Sequence, residues 1–355
     1  MGDIIHTLPA VTDAYRAHKD LVFDWVVEES FVEVPGWHPA VDKVIPVAIR
    51  RWRRNLMRAY LSNEFRAFKR SLQGEHYDLV IDAQGLIKSG VISRLSKGLT
   101  IGLSNRTIRE PMATLFYNKV FSVPWNEHAV ARVRQLFSRA LQYDYDEELI
   151  DYGIDLAKGS GLDRGNDDRN VKDEIQICNA NQVVFLHGTT WATKHWPENY
   201  WRHLAQIAAG AGYEVLLPWG NAEEKQRAEF IASGNGKVTV LGKQSLTGLA
   251  NCIKQSRGVI AVDTGLGHLS AALAKPTVSL YGPTNPELSG TFGDKQLHLS
   301  SDLNCAPCVK KACSYTGAEV TDVYEGNSFA VTPPCFSSNR PEMVWQQFEK
   351  LLQQQ

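Results

Sequence analysis

The chain has 355 residues, of which 43% are hydrophobic and 22% charged, with 38 Lys+Arg against 39 Asp+Glu. At about 100–200 residues per domain this predicts two domains, and the composition excludes a disordered chain. A net charge of -1 excludes a protein built mainly to coat nucleic acid; no apolar run reaches the ~18 residues of a membrane span; MGDIIHTLPA lacks the basic start and long apolar core of a signal peptide; and six cysteines are too few for a disulfide scaffold, making a reducing, cytosolic setting the default.

In chain order, the first element is a helix-like stretch, DIIHTLPAVTDAYR, which follows a Gly-Asp turn. A doubly wound domain needs a strand ahead of that turn, and none is present. Arg50, Arg51, Arg53, Arg54 and Arg58 surround Trp52, and Arg66, Lys69 and Arg70 continue the excess. Such a face suits phosphate or carboxylate groups, an anionic lipid headgroup among them. A solvated basic helix face is the plainer alternative, and no nucleic-acid motif accompanies the charge. Lys88 and Arg109 lie elsewhere in this half. Leu61, Phe65, Phe68 and Leu72 recur at four, three and four residues, one face of a helix. YDLVIDAQG (77–85) predicts a strand running into a turn, with a helix over 89–95. The Gly-, Asp- and Asn-rich stretch 157–182 predicts a linker and loop. It separates one domain over 1–156 from another over 183–340, and 341–355 reads as a C-terminal helix.

The second half alternates regularly. Apolar runs at 183–187, 213–217, 238–241, 258–262 and 277–281 read as strands covered on both faces. Helical patterns fill 198–210, 221–233, 245–256 and 264–274. The alternation predicts a parallel, doubly wound sheet, whose ligands bind beyond the carboxyl ends of the strands.

Three strand ends carry candidate chemistry. In HGTTWATKHWPENYW, Gly188, Thr189 and Thr190 follow a strand and Lys194 precedes a helix, which together can cradle an anion. A solvated loop with an incidental Lys is as good a reading of this segment alone. In VDTGLGHLSAA, Asp263, Thr264 and Gly265 make a strand-to-helix turn, with Asp263 able to cap the helix and His268 in its first turn. In LPWGNAEEKQRAE, Glu223 reads as a helix-dipole residue, whereas Glu224 can reach the hydroxyls of a ribose. Cys305, Cys308 and Cys313, with Cys335 later, invite a metal-site reading, but the spacing is not a standard zinc pattern and reduced thiols weigh slightly more. Asp3 reads as a helix-start carboxylate.

GDIIHTLPA, YDLVIDAQGLIKSG, REPMATLFYNK, KHWPENYW, LPWG and VDTGLGHLSAALAKPTVSLYGPT together resemble the heptosyltransferases of glycosyltransferase family 9, over about residues 1–300. The resemblance implies the GT-B fold, α/β, with two Rossmann-like doubly wound domains facing across a cleft: an acceptor-binding domain first, an ADP-sugar-binding domain second. It implies inverting transfer of L-glycero-D-manno-heptose from ADP-heptose to a Kdo sugar of Kdo2-lipid A, without a metal ion or other cofactor, by a cytoplasmic enzyme peripheral to the inner membrane. Asp3 matches the general base. Thr189, Thr190 and Lys194 match the phosphate-binding turn, Glu224 the ribose contact, and Asp263, Thr264, Gly265 and His268 the donor loop. Arg50, Arg51, Lys88 and Arg109 fall in the acceptor-side patch. The alternatives are transfer to an already heptosylated core, or an inactive module that binds ADP-sugar or lipid headgroups.

The cysteine segment 305–335 departs from the branch of the family that adds the first heptose. The family's first strand and Lys-Ser-Ser loop are missing ahead of Gly-Asp. We therefore expect Met1 to be an internal methionine, with the natural start about ten residues upstream, enough for one strand and its turn.

Overall fold

The computed structural model describes residues 1–55, 57, 60, 62–159 and 178–354; Arg58, Leu61 and 160–177 of the expected linker lie outside the described residues. The chain divides into two compact units, Asp3–Arg164 and Gly165–Gln355.

In the first unit the β-branched runs form β1 (Phe23–Glu28), β2 (Val41–Val47), β3 (Leu79–Ile81), β4 (Leu99–Leu103) and β5 (Lys119–Phe121). Among the described residues they make two parallel sheets, β1–β2 and β3–β4–β5. Among the described residues four helices of nine residues or more accompany them: α1 (Gly2–Ala17), α2 (Asn63–Leu72), α3 (Ile87–Leu95) and α4 (Ala129–Leu141). Helix α1 is the buried one, with Ile5, Leu8, Val11 and Ala14 fully enclosed. Ala10, Val11 and Ala14 share a cluster against which both Trp25 of β1 and Ile81 of β3 pack. The Arg134 guanidinium of α4 grips Asp13 of α1, with Nε 2.6 Å and Nη2 3.3 Å from the carboxylate, and both residues are buried. Ser62 caps α2 by accepting the Phe65 N–H at 3.1 Å. Phe68 and Leu72 then pack on Ile45 and Val47 of β2, which is what their spacing requires. The strand read at 77–85 is shorter than expected. The Asp82 N–H makes the last bond to β4, to the Ile101 carbonyl at 2.8 Å, and its Oδ1 accepts the N–H of Gln84 at 2.9 Å and of Gly85 at 3.1 Å. Gly85 sits at φ +67°, the left-handed region that glycine tolerates.

The second unit is one six-stranded parallel sheet: β6 (Gln182–Leu186), β7 (Glu214–Leu217), β8 (Val238–Val240), β9 (Gly258–Val262), β10 (Thr277–Tyr281) and β11 (Gln296–Ser300). The spatial order is β11-β10-β9-β6-β7-β8. Counting from β6, this is the Rossmann order, and the winding reverses between β6 and β9. The longer helices are α5 (Glu198–Gly210), α6 (Ala222–Ala232), α7 (Leu246–Gln255), α8 (Gly265–Ala272) and α9 (Pro341–Gln353). Val344, Phe348 and Leu352 of α9 enter the core made by Val183, Phe185, Leu204, Leu217 and Ile260. Gly258 lets α9 approach: a Cβ there would lie 2.8 Å from Phe348 Cζ.

Strand β11 escaped the sequence reading because QLHLS alternates at a half-exposed sheet edge and lacks the continuous apolar run of its neighbours. The hairpin of β12 (Thr321–Tyr324) and β13 (Asn327–Ala330) is likewise largely exposed. One expectation is corrected. Cys178 and Cys252 form a disulfide that joins the lead-in of β6 to α7, so the cysteines are not all reduced thiols. Among the described residues no helix is long and apolar enough to cross a membrane.

Candidate functional site

The reversal between β6 and β9 places two strand ends side by side, and the second unit concentrates its polar chemistry there. Beyond β6, Thr189 Oγ1 donates to the main-chain carbonyl of Asp263 at 3.0 Å, which ties the two strand ends together. Lys194 closes a short turn, Ala192–Lys194, and its Nζ lies 2.6 Å from Asp263 Oδ2. Only 16% of the Lys194 side chain and 10% of the Asp263 side chain are exposed, so this pair is poorly screened by water. Thr284, just beyond β10, donates its hydroxyl to the same Oδ2 at 2.6 Å. Thr190 is exposed beside this cluster.

Asp263 therefore does not cap α8. Its carboxylate turns to Lys194 and Thr284, and Thr264 takes the N-cap position without a side-chain hydrogen bond. The start of α8 thus receives no side-chain cap from Thr264, and it presents the positive end of the helix dipole. His268 is buried in the first turn of α8. Glu224 opens α6, where Asn221 accepts its N–H at 3.0 Å and its own carboxylate accepts the Gly220 N–H at 2.7 Å. That carboxylate leans over Gly188: a Cβ on Gly188 would lie 2.7 Å from Glu224 Cδ. Glu224 thus reaches the end of β6, while Glu223 remains exposed.

Sequence reasoning passed over Thr284 and Lys311. Lys194 Nζ lies 4.6 Å and Lys311 Nζ 5.5 Å from the centre of the Trp191 ring, so two ammonium groups attend one aromatic ring. The segment bearing Lys311 is pinned by the Val309 N–H to the Pro283 carbonyl at 2.7 Å and by the Thr193 hydroxyl to the Lys310 carbonyl at 2.6 Å. Thr284 was findable, since it follows a strand end; Lys311 follows none. The four thiols of Cys305, Cys308, Cys313 and Cys335 are free. Burial, then the neighbouring Cys313 and Cys308, push the Cys335 thiol up to about 12. Among the described residues no group of three or more His, Cys, Asp or Glu is placed to hold a metal ion.

In the first unit Asp3 stands in the first turn of α1, where the helix dipole favours a carboxylate. Gln84 Nε2 donates to Asp3 Oδ2 at 3.0 Å. Desolvation by surrounding atoms would raise the Asp3 pKa, but the Gln84 hydrogen bond and then the Arg109 charge outweigh it. The carboxyl is held below its ordinary range, so Asp3 is an ionised acceptor at neutral pH. Gln84 is held in turn by the turn that Asp82 builds, and Asp82 Oδ2 accepts the Tyr117 hydroxyl at 2.6 Å. The basic cluster is less uniform than its sequence suggests. Arg51 is held between Glu29 and Glu64, so its charge is already matched. Arg50 lies over the Phe31 ring at 5.2 Å, its main-chain N–H bonded to Glu28. Arg53, Arg54 and Lys88 are exposed.

A Rossmann-ordered sheet with a hydroxyl- and cation-rich cluster at its switch point defines a nucleotide-binding α/β protein, here paired with a second parallel α/β unit that carries an ionised carboxylate. The model of glycosyltransferase family 9 (heptosyltransferase) matches residues 65–319. The chain is 49% identical over 353 residues to lipopolysaccharide heptosyltransferase 1 of Pseudomonas aeruginosa, covering 99% of this chain and 95% of that one. It is 44% identical over 298 residues to lipopolysaccharide heptosyltransferase 1 of Escherichia coli K12, covering 84% and 89%. The solved structure of E. coli heptosyltransferase WaaC with ADP aligns with a TM-score of 0.75 at 44% identity, covering 84% and 89%. The chain belongs to glycosyltransferase family 9, the heptosyltransferases; it is a glycosyltransferase of the GT-B fold class.

Proposed function

We propose that this enzyme transfers L-glycero-D-manno-heptose from ADP-heptose to a Kdo sugar of Kdo2-lipid A, in one inverting displacement. The observation that carries the donor half is the cluster of Lys194, Thr189 and Thr284 around Asp263 at the β6/β9 switch point. A diphosphate there accepts hydrogen bonds from the exposed Thr190 hydroxyl and from the start of α8, and Lys194 supplies full charge as negative charge grows on the leaving ADP. Asp263 keeps the Lys194 ammonium aimed. Glu224, against Gly188, is the carboxylate for the ribose hydroxyls. Asp3 takes the proton of the acceptor hydroxyl as that oxygen attacks the anomeric carbon; Gln84 orients it and the Arg109 charge keeps it ionised. Arg50, Lys88 and Arg109 meet the acceptor's phosphates and carboxylates, and Arg51 joins them only by giving up a carboxylate partner. The enzyme works from the cytoplasmic face of the inner membrane.

The test is a transfer assay with ADP-heptose and two acceptors, Kdo2-lipid A and the same acceptor already bearing one heptose. Product with the first and little with the second supports the reading. Transfer only to the heptosylated acceptor overturns the acceptor assignment, and no transfer to either overturns the reaction.

A further inference from the structure

One face of the first unit combines exposed apolar side chains with an unusual excess of cations. On α3, Ile87 and Val91 are four residues apart and Arg94 follows three later, so the three form one stripe. Ile87 and Val91 are each 39% exposed. Beside them runs the helical turn Pro111–Phe116, which displays Met112 at 63% and Leu115 at 77% exposure. The two elements are in close contact: a Cβ on Gly90 of α3 would lie 2.8 Å from Phe116 Cδ2 and 3.2 Å from the Ala113 carbonyl. Four large apolar side chains on two packed elements form a patch rather than scattered exposure, and such patches mark interaction sites.

The charge around the patch points to one kind of partner. Between residues 83 and 121 the chain has six cations, Lys88, Arg94, Lys97, Arg106, Arg109 and Lys119, and one carboxylate, Glu110. That carboxylate is engaged at the start of α3, accepting the Ile87 N–H at 2.7 Å. A protein partner of ordinary surface carries mixed charge; an apolar patch whose own helix carries the exposed cations Lys88 and Arg94, with exposed Arg109 just ahead of its turn, matches an anionic bilayer, which takes apolar side chains into its acyl boundary and cations at its headgroups. The patch also adjoins the acceptor side of the site, because Lys88 follows Ile87 on α3 and Arg109 stands two residues before its helical turn, with its charge acting on Asp3.

We infer that the face formed by α3 and the Pro111–Phe116 turn seats this enzyme on an anionic lipid surface. The inference deepens the reading of an enzyme that works on a membrane-held acceptor, and rests on it for its biological sense. The binding itself is read without acceptor or donor, so docking and heptose transfer can fail separately.

The experiment is co-sedimentation of the full chain with sucrose-loaded vesicles of mixed phosphatidylglycerol and phosphatidylcholine, beside vesicles of phosphatidylcholine alone. Wild type is expected to sediment with the mixed vesicles, less so at high salt, and to remain in solution with the neutral ones. Met112→Ser/Leu115→Ser, which removes two inserting side chains, is expected to lower partitioning at least tenfold. Arg94→Gln is expected to lower it about fivefold, the share of one cation near an anionic surface. Melting temperature and ADP affinity should stay at wild-type values in each variant, which separates lost docking from lost folding. Wild type left in solution with mixed vesicles overturns the inference, as does a double variant that sediments like wild type. Dimerisation of the wild type that the double variant abolishes, without vesicle binding, would assign the patch to a second copy of the chain and overturn it equally.

Discussion

Replacing Lys194 by Met is the sharpest probe of the donor site. The ammonium lies 2.6 Å from Asp263 Oδ2, in a pair with side-chain exposures of only 16% and 10%. Removing it has two consequences for a bound diphosphate. A charge-assisted hydrogen bond is lost, worth about 1.5–3 kcal/mol. Asp263 is also left without its countercharge. A bare carboxylate about 5 Å from a phosphate, at an effective dielectric near 20, costs up to about 3 kcal/mol before relaxation. Allowing for water entering the vacated space, the sum is about 2–4 kcal/mol, a rise in Kd of about 30- to 1,000-fold.

The two parts are separable. Asn at position 263 still accepts the Thr284 hydroxyl but carries no charge, so Asp263→Asn alone should leave ADP affinity unchanged or slightly tighter. In that background Lys194→Met should cost only the lost hydrogen bond, about 10- to 100-fold. Calorimetric titration of ADP into the four proteins closes the cycle. A Lys194→Met protein that melts normally and binds ADP within threefold of wild type would refute the phosphate assignment. Equal losses in both backgrounds would refute the electrostatic part of the reasoning.

Asp3→Asn should lower kcat by about two to four decades with ADP affinity retained, whereas near-normal turnover would place the base elsewhere. Because Asp3 is held below the ordinary carboxylate range, the acid limb of the rate profile should lie below that range, and Gln84→Leu should move it upward. Turnover measured in excess chelator should match the untreated rate if the diphosphate is balanced by Lys194 and the α8 amides rather than by a metal ion. His38 is pushed down to about 4, by burial and then by the Lys158 charge. Unfolded chains protonate it near pH 6.5 while the fold refuses the proton, so stability should be complete above about 6.5 and fall as pH drops toward 4. Melting curves of His38→Asn should show a shallower fall over that interval. Thiol titration of the denatured chain should count four thiols without reductant and six with it.

The second unit was legible in the sequence because its strands are buried on both faces. GVIAV and TVSLY are short apolar runs bounded by polar turns, and both appear as β9 and β10 with the residues expected of them. The first unit was less legible. FDWVVE and VDKVIPV mix charge into strands that are only partly covered, and they passed without assignment. The basic cluster shows the same weakness from another side. Counting arginines over 50–70 suggests a uniform cationic face, but Glu29 and Glu64, distant in sequence, meet Arg51 in space and absorb its charge.

The candidate site divides along similar lines. Thr189, Lys194, Glu224 and Asp263 were visible because a doubly wound sheet sends its ligands to strand ends, a rule that needs only the position of each strand. Their partners needed the third dimension. That Asp263 holds Lys194 rather than capping α8 follows from the adjacency of β6 and β9, strands separated by two others in sequence. Gln84 is a clearer case still. Its neighbour Asp82 spends its carboxylate on the turn itself, accepting the N–H of Gln84 and of Gly85, and so leaves the Gln84 amide to reach Asp3. A sequence motif names residues that could act, but which carboxylate builds the turn and which keeps free acceptor capacity is read from the hydrogen bonds that reach each one. In this chain Asp82 receives two backbone amides and the Tyr117 hydroxyl, whereas Asp3 receives a single side-chain amide and retains acceptor capacity for a hydroxyl.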